Sequence, residues 1–432
     1  MTGDDRSSIA HLLRRAGFGP TTAEVDAAAA RGYAATVDAL LDVSGADPAD
    51  TVAPPTLAPY QPLAAKNLTA AERAALNKQR AGDLLAIQRW WVGRMVASTH
   101  PLREKMTWFW HDHFATSYDK VNRADLLLRQ NQLFRTAGFG GFEALTQAVA
   151  KDPAMLLWLD AGSDKKAHPN ENFARELMEL FTLGIGNYTE DDVREAARGF
   201  TGWYLDPRTG SWAIAPRQHD DGLKTVLGQT GDWGGEDVVH LVVTNPASAP
   251  FIVSRVWSHF AWPVTATDPV VGELAPAFAA TGDLTALLRA VFLHPAFLSA
   301  AARTGLVKQP IEWTVGALRA LGLPAATPAL APALTNLGQV PFRPPNVAGW
   351  PQNEYWLTTS ASLARLSFAS AVAGLADLGS ISATAPAGRV DAVARLLSVE
   401  WSPATAQALT TVAGQVPQLV ALALVAPESV LA

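Results

Sequence analysis

The fold class is decided by the stretch Pro169-Asn-Glu-Asn-Phe-Ala-Arg-Glu-Leu-Met-Glu-Leu-Phe181, which is typical of an amphipathic helix. At about 100° per residue, its apolar side chains share one arc, and its charged and amide side chains share the other. Such a helix is stabilised mainly by packing its apolar face on a core. The stretch therefore predicts a helical body in which this segment has one buried side and one solvent-facing side.

Along the rest of the chain, helix-capping residues, Pro and Gly mark the ends of predicted helices. Thr189 followed by Asp192 is a capping-box pattern, and Asp152-Pro153 places an N-cap before a proline at the first helical position. Both patterns stand directly before helical runs of apolar residues. We therefore predict a mainly α protein built as a large multi-helix globular body.

One region departs from the helical pattern. Residues 203–240 are rich in Gly, Asp and Trp, with a turn signal between short alternating stretches, and predict a small β-hairpin excursion. Beyond about 379 the chain is rich in Ala, Val and Leu. We predict one helical domain over 1–378, with the hairpin as an insertion, and a C-terminal helical subdomain over 379–432.

Composition excludes several function classes. The chain has 432 residues, of which 49% are hydrophobic and 17% are charged, enough to bury a substantial core. Its net charge is −6 and it has no long Lys/Arg block, which disfavours a nucleic-acid-binding protein because such binding rests on phosphate neutralisation. It has no cysteine, so disulfides, thiolate catalysis and cysteine-ligated metals are excluded.

The sequence also allows a prediction of the cellular compartment. No stretch approaches about 18 uninterrupted apolar residues, so we expect no transmembrane segment. The first residues are polar, and charge breaks the apolar pattern at His11-Leu-Leu-Arg-Arg15, unlike in a signal peptide. We therefore expect a cytoplasmic protein, unless a partner carries it out of the cell.

The polar face of the 169–181 helix has two interpretations. Glu171, Arg175 and Glu179 follow each other at i,i+4, so the first is a solvated face with weak ion pairs. The second is a carboxylate stripe, in which Glu171 or Glu176 performs acid–base work or binds a metal, while Arg175 holds the acids in place. The spacing leaves both open.

A second stretch, Arg103-Glu-Lys-Met-Thr-Trp-Phe-Trp-His-Asp-His-Phe114, predicts a largely buried helix because its aromatic side chains point in nearly all directions. Buried charges need partners, so the segment indicates either a concentrated polar site or a structural ion-pair network. His111 and His113 are about 200° apart on a helix, so only a strand or a broken helix would aim both at one metal. The alternative places one histidine in a site and the other in the core.

Two further segments hold candidate binding residues. His219 and Asp220 begin a turn-rich segment with oxygen ligands, although it lacks the offsets of an EF-hand loop and also fits a plain hairpin. The loop Phe342-Arg-Pro-Pro-Asn-Val-Ala-Gly-Trp-Pro351 is stiff, and its Trp350 can stack on a sugar or pin the loop to the core. We find no phosphate-binding loop, dinucleotide fingerprint, serine-hydrolase elbow or His-Glu-x-x-His zinc motif.

Several of these segments occur in an order that resembles a known family. They include His11-Leu-Leu-Arg-Arg-Ala-Gly-Phe-Gly19, Trp110-His-Asp-His-Phe-Ala-Thr-Ser117 and the stretches 152–160, 169–184, 200–203, 219–225 and 344–350. Over about residues 9–370 the sequence is similar to a bacterial family called domain of unknown function 1800. Its members are often encoded beside proteins that look like sulfatases or alkaline phosphatases. The resemblance thus implies an anionic or carbohydrate polymer and a sulfatase-like or phosphatase-like partner protein.

The resemblance also marks positions without supplying an activity for them. Asp112 receives less weight, because its position is expected to vary. The marked positions are His111, His113, Asn170, Glu171, Asn172, Arg175 and Glu176.

Two functions are expected from these observations. The first is a hydrolase or lyase on a polyanionic or carbohydrate substrate, with Glu171 or Glu176 as base or metal ligand, Arg175 as anion clamp, and His111 or His113 as acid. A divalent metal is a candidate cofactor. The second is a non-catalytic binding or assembly partner of a sulfatase-like exported protein. The candidate substrate-binding residues are Asn170, Asn172, His219, Asp220, Asn346 and Trp350.

Overall fold

The computed structural model of the protein describes residues 5–58, 68–162, 164–206 and 209–431, and these residues are mainly helical. Helices begin where the sequence predicts caps. Thr189 Oγ1 accepts from the Asp192 amide at 3.2 Å, and the Asp192 carboxylate accepts from the Thr189 amide at 2.8 Å. Asp152 Oδ1 accepts from the amides of Ala154 and Met155. Both predicted helix starts are confirmed.

The first half of the chain contains the two helices on which the predicted site depends. The 169–181 stretch was expected to form one helix, but it changes from an α-helix to a π-helix at Leu177–Thr182. A 3₁₀ turn lies at Pro48–Thr51. The α-helices are α1 (Arg6–Ala16), α2 (Thr22–Arg31), α3 (Tyr33–Leu41), α4 (Ala70–Ala97), α5 (Pro101–His113), α6 (Tyr118–Val121), α7 (Ala124–Ala137), α8 (Phe142–Ala150), α9 (Pro153–Trp158), α10 (Glu171–Glu176) and α11 (Glu190–Phe200).

The second half continues the helical pattern to the C-terminal end of the described chain. Its 3₁₀ turns are Pro216–Gln218, Pro295–Leu298, Asn353–Trp356 and Pro386–Gly388. Its α-helices are α12 (Gly235–Val243), α13 (Ser248–Phe260), α14 (Pro269–Thr281), α15 (Leu284–Leu293), α16 (Ala300–Thr304), α17 (Pro310–Ala320), α18 (Leu330–Asn336), α19 (Thr359–Leu375), α20 (Gly379–Ala383), α21 (Arg389–Leu397), α22 (Pro403–Thr410), α23 (Val416–Val425) and α24 (Pro427–Val430).

The β excursion consists of two antiparallel hairpins. Strand β1 (Trp203–Asp206) pairs with β2 (Ser211–Ile214), and β3 (Lys224–Val226) pairs with β4 (Gln229–Gly231). The hairpins lie within the predicted region of about 203–240, and helix α12 begins inside its C-terminal end, at Gly235. The Asp237 carboxylate accepts from the Gly234 amide at 2.9 Å and starts that helix. Pro207 and Arg208, in the turn predicted between β1 and β2, lie outside the described residues.

Helix α5 lies between two hydrophobic clusters. Phe109, Trp110 and Phe114 belong to one cluster, and Trp108 belongs to the other. Every residue from 104 to 113 is buried, as the all-round aromatic pattern predicts. The buried helix thus joins the two halves of the core.

A buried ion-pair network surrounds the charged part of α5. Glu104, with 0% exposure, accepts from Arg94 Nε at 2.9 Å, from Arg135 at 2.8 Å through both of its oxygens, and from Trp91 Nε1 at 3.0 Å. These partners satisfy both carboxylate oxygens. Of the two arrangements predicted for this segment, a structural ion-pair network is therefore present at Glu104.

The C-terminal helices pack on the preceding part of the chain. Helix α23 lies along α19, and Trp313 Nε1 on α17 donates to the Leu424 carbonyl at 3.0 Å. The division of the chain at 379 stays a prediction. Among the described residues, no helix combines the length and the apolar character that crossing a membrane requires.

Candidate functional site

The start of α10 is organised by its two asparagines. Asn170 Oδ1 accepts from the Asn172 amide at 3.0 Å, which makes Asn170 the N-cap. The side-chain amides of both asparagines donate to the Leu159 carbonyl, at 2.9 and 3.3 Å. The Asn170 amide in turn donates to Asp164. These bonds hold the helix start against the end of α9, so both candidate substrate-binding side chains already have structural partners.

Arg175 joins α10 to α11. Its two terminal nitrogens contact the two carboxylate oxygens of Glu190 at 2.6 and 2.7 Å, and Glu171 lies 3.5 Å away. The hydrogen bonds that Arg175 donates to Glu190 raise the pKa of Arg175, which stays charged. All three side chains are partly exposed. This is the solvated ion-pair face predicted as the first interpretation, with Glu190 as the principal partner in place of Glu179.

The second interpretation depends on the carboxylates that we call the glutamate face, Glu176 and Glu179. Burial, followed by the charge of Glu179, raises the pKa of Glu176. Glu179 accepts from the Tyr188 hydroxyl at 2.5 Å. The two acids lie where the helix changes from α to π, and the Leu183 amide reaches five residues back to the Met178 carbonyl at 2.8 Å. π-Helical segments are rare and frequently occur at functional sites.

His111 lies in the core on the side of α5 that faces the 342–351 loop. Its Nε2 accepts from the Phe342 amide at 3.1 Å, and its ring contacts Trp91 and Trp350. Burial lowers the pKa of His111 to about 3. The side chain is therefore a neutral hydrogen-bond acceptor for that loop.

His113 points to a different part of the core. Its Nε2 donates to the Phe181 carbonyl at 3.0 Å, and its ring stacks against Phe109. Burial, followed by the charge of Arg255, lowers the pKa of His113 to about 3. The two histidines diverge as their spacing on a continuous helix predicts. His113 contacts the apolar side of the π-helix, and the structure brings neither histidine to the glutamate face.

The 342–351 loop is held by Asp112, the position given least weight from the sequence. Its Oδ1 accepts from the Trp350 amide at 2.8 Å, and burial raises its pKa to about 6. Trp350 stacks on Trp108 with ring centroids 5.0 Å apart, so it pins the loop to the core. Asn346 is exposed and accepts from the Ala348 amide within the same loop.

His219 and Asp220 lie beside α11. His219 Nδ1 donates to the Thr201 carbonyl at 2.8 Å, and Asp220 contacts Arg198 Nε at 2.7 Å. Hydrogen bonds from Arg198, together with its charge, lower the pKa of Asp220 to about 2. Both side chains hold the hairpins against the helix, as in the plain-hairpin alternative. No three His, Asp or Glu side chains within the described ranges stand close enough to hold one metal ion.

A surface that sequence reasoning did not select runs between α1 and the C-terminal helices. We call it the arginine groove, and its volume is about 1620 Å³ including the part open to solvent. Trp401 forms part of its wall, with its indole held by a 3.1 Å bond to the Val390 carbonyl. The feature of the sequence that could have indicated this groove is the Arg14-Arg15 pair of the 11–19 motif, because Arg14 lines the groove. The charged residues that line the groove are Arg6, Arg14, Arg303, Arg395, Glu400 and Glu428.

These features define a mainly helical protein with a buried central helix, two small hairpins and an arginine-lined groove. The chain belongs to the family described as protein of unknown function (DUF1800), whose profile matches residues 11–431. The match extends beyond the region in which the motifs were recognised and includes the C-terminal helices. No curated protein and no solved structure shows a significant match.

Proposed function

We propose that this protein is a binding module for an acidic polymer, such as a sulfated or carboxylated polysaccharide, and that the arginine groove is the binding surface. The supporting observation is charge: four arginines and two glutamates line the groove, whereas the whole chain carries −6. A positive concavity on a negative protein attracts anions selectively. Trp401 supplies a fixed aromatic wall on which a sugar ring can stack.

The partners of the groove arginines show which of these cations is most available to a ligand. Arg303 donates to Ser7 Oγ at 3.0 Å and to Ser8 Oγ at 2.8 Å, while Arg6 pairs with Asp26. Arg395 is exposed and forms no ion pair with any described residue. Arg395 is therefore the groove cation whose charge is most available to a ligand. The proposed partner is a sulfatase-like or phosphatase-like protein that acts on the same polymer.

The test compares dextran sulfate with uncharged dextran by calorimetric titration. We expect binding of dextran sulfate only, weakening as salt rises. Arg395→Gln should weaken it by about two- to fivefold, the range for one exposed charge contact. Arg73→Gln, an exposed arginine remote from the groove lining, is the matched control. Equal binding of both polymers, or equal effects of the two variants, would contradict the proposal.

A second candidate function is favoured by the glutamate face. In a hydrolase, Glu176, whose pKa is raised, would give its proton to the leaving-group oxygen, while the Glu179 carboxylate would accept a proton from the attacking water. Glu176 takes the acid role here because His111 and His113 are buried. Arg175, already paired with Glu190, would clamp an anionic group of the substrate.

This second candidate predicts the slow appearance of new reducing ends when excess protein is incubated with dextran sulfate. Glu176→Gln should abolish it, because the amide retains the size of the side chain and cannot donate that proton. Asp191→Asn, an exposed change on α11, should leave it intact. If Glu176→Gln protein cleaves as fast as the parent, the role of Glu176 is wrong.

A further inference from the structure

A second cationic site lies on the inner side of α1, between α5 and α17. We call it the cation cleft, and it is defined by Arg14, Arg15, Lys105, Lys308 and Glu312. It contains four cationic side chains and one carboxylate. It shares Arg14 with the arginine groove, but the other members are separate from the groove lining.

Both oxygens of Glu312, the single carboxylate of the cleft, already accept hydrogen bonds. One oxygen of Glu312 accepts from the Lys105 ammonium, and the other accepts from the Gln309 amide at 3.0 Å. Lys105 is 3% exposed, so this is a buried pair with both members occupied. Neither oxygen of Glu312 is therefore hydrogen-bonded to Arg14, Arg15 or Lys308.

Those remaining cations have only backbone carbonyls as hydrogen-bond partners among the described residues. Arg14 donates to Ser398 and Arg15 to Ala302, while Lys308 Nζ donates to the Ser429 carbonyl at 2.9 Å. The Nε atoms of Arg14 and Arg15 are buried without a partner in the same part of the chain. Arg15 is only 3% exposed. Among the described residues no carboxylate pairs directly with these three cations, and Glu400 near Arg14 and Glu312 near Arg15 and Lys308 act on them only at longer range. Because burial of a charge without a direct partner is costly, this arrangement favours a bound anion.

The size of the cleft limits the size of the anion that it can hold. Its two connected parts, both lined by Arg14, Phe18, Lys308 and Glu312, have volumes of about 400 and 290 Å³ including the part open to solvent. Much of this volume is open to solvent, so the cleft is narrow and admits only a compact group. His259 lines the inner part, and its Nε2 is buried without a partner among the described residues.

We propose that the cation cleft binds a phosphate- or sulfate-type oxyanion, either free or as the terminal group of a larger molecule. The oxyanion would accept hydrogen bonds from the Arg14 and Arg15 guanidinium groups and from Lys308. Arginine is suited to this role because its planar fork matches oxyanion geometry. This site goes beyond the polymer groove and does not depend on it.

The binding should depend on pH through Lys308. Burial lowers the pKa of Lys308 to about 7, and the charges of Arg14, Arg15 and Lys105 add to this effect while Glu312 opposes it. A bound anion would favour the charged ammonium, so binding takes up a proton above pH 7. Affinity should therefore fall as pH rises, by up to about tenfold per pH unit above 7.

The experiment is calorimetric titration of the full chain with sodium sulfate at constant ionic strength set by chloride. Sulfate is suitable for the pH series because its own charge is constant from about pH 6 to 9. We expect saturable binding near pH 6 and much weaker binding near pH 9. Lys308→Met should weaken sulfate binding by about 30-fold or more. Lys308→Arg should retain the binding and lose the pH dependence.

Control measurements distinguish oxyanion binding in the cation cleft from polymer binding in the arginine groove. Arg73→Gln, an exposed change outside the lining of the cleft, should leave sulfate affinity unchanged. The groove is tested separately with dextran sulfate, so the two proposals can fail independently. Inorganic phosphate and glucose 6-phosphate, compared at one pH, identify a free anion or a terminal group as the ligand, and either result supports the site. Absence of saturable sulfate, phosphate and glucose 6-phosphate binding in the parent protein overturns it. Should Lys308→Met fail to fold, pH-independent sulfate binding by the parent protein would also overturn it.

Discussion

Replacing Glu104 by Gln is expected to lower the free energy of unfolding by about 3–5 kcal/mol, because it removes the counter-charge of the buried Arg135 guanidinium and leaves Arg94 with only the half-exposed Asp50. Burial alone would raise the pKa of Glu104, but the charges and hydrogen bonds of Arg135 and Arg94 outweigh it and lower that pKa. Urea unfolding followed by circular dichroism measures the loss.

The matched control is Asp38→Asn, which breaks the exposed pair between Arg289 and Asp38. Its cost should be below about 1 kcal/mol. The advantage of Glu104 over Gln should be complete above the ordinary glutamate pKa of 4.5 and should shrink as pH falls through the lower folded value. Equal losses for the two variants at neutral pH would show that the buried network contributes no more than a surface pair.

Replacing Gly349 by Ala is the second change with a large expected effect. Gly349 has φ +86°, and an added Cβ would clash with the Asp112 carboxylate and lie 2.6 Å from the Asp112 carbonyl oxygen. The left-handed backbone alone costs an L-residue about 1–2 kcal/mol, and overpacking typically adds about 1–3 kcal/mol. We therefore expect a loss of about 2–5 kcal/mol in the free energy of unfolding.

Gly338→Ala is the control for backbone strain. Gly338 has φ +77°, and an added Cβ would meet nothing within 4 Å, so only the conformational cost should appear. Gly349→Ala should also shift the tryptophan fluorescence spectrum, because the clash displaces Trp350 from Trp108. If the two glycine variants lose equal stability and neither changes the spectrum, the close approach of the loop to Asp112 is not a stabilising feature.

Local signals were sufficient for much of the fold. The capping box at Thr189 and the Asp152-Pro153 pair predicted helix starts correctly, because a cap is made by residues within three or four positions. The all-round aromatic pattern of α5 predicted burial, and the i,i+2 spacing predicted that His111 and His113 diverge. These properties follow from helix geometry, which depends on neighbouring residues only.

Properties that depend on distant residues were not accessible in this way. Spacing within 169–181 could not show that Arg175 pairs with Glu190 across two helices, or that the helix widens to a π-helix at Leu177. It also could not show that Asp112 holds the amide of Trp350. In each case the partner lies far along the chain or the geometry is set by packing, so no local pattern encodes it.

The sequence by itself determined that the protein is mainly helical, that α5 is buried and that the chain resembles its family. Only the tertiary structure decided which charges have partners. It brings Arg14, Arg15, Lys105 and Lys308 to one cleft with a single carboxylate that is already occupied. Whether a buried cation has a counter-charge depends on all the groups around it. In this cleft those groups come from α1, from α5, and from α17 and the residues just before it, which are far apart along the chain.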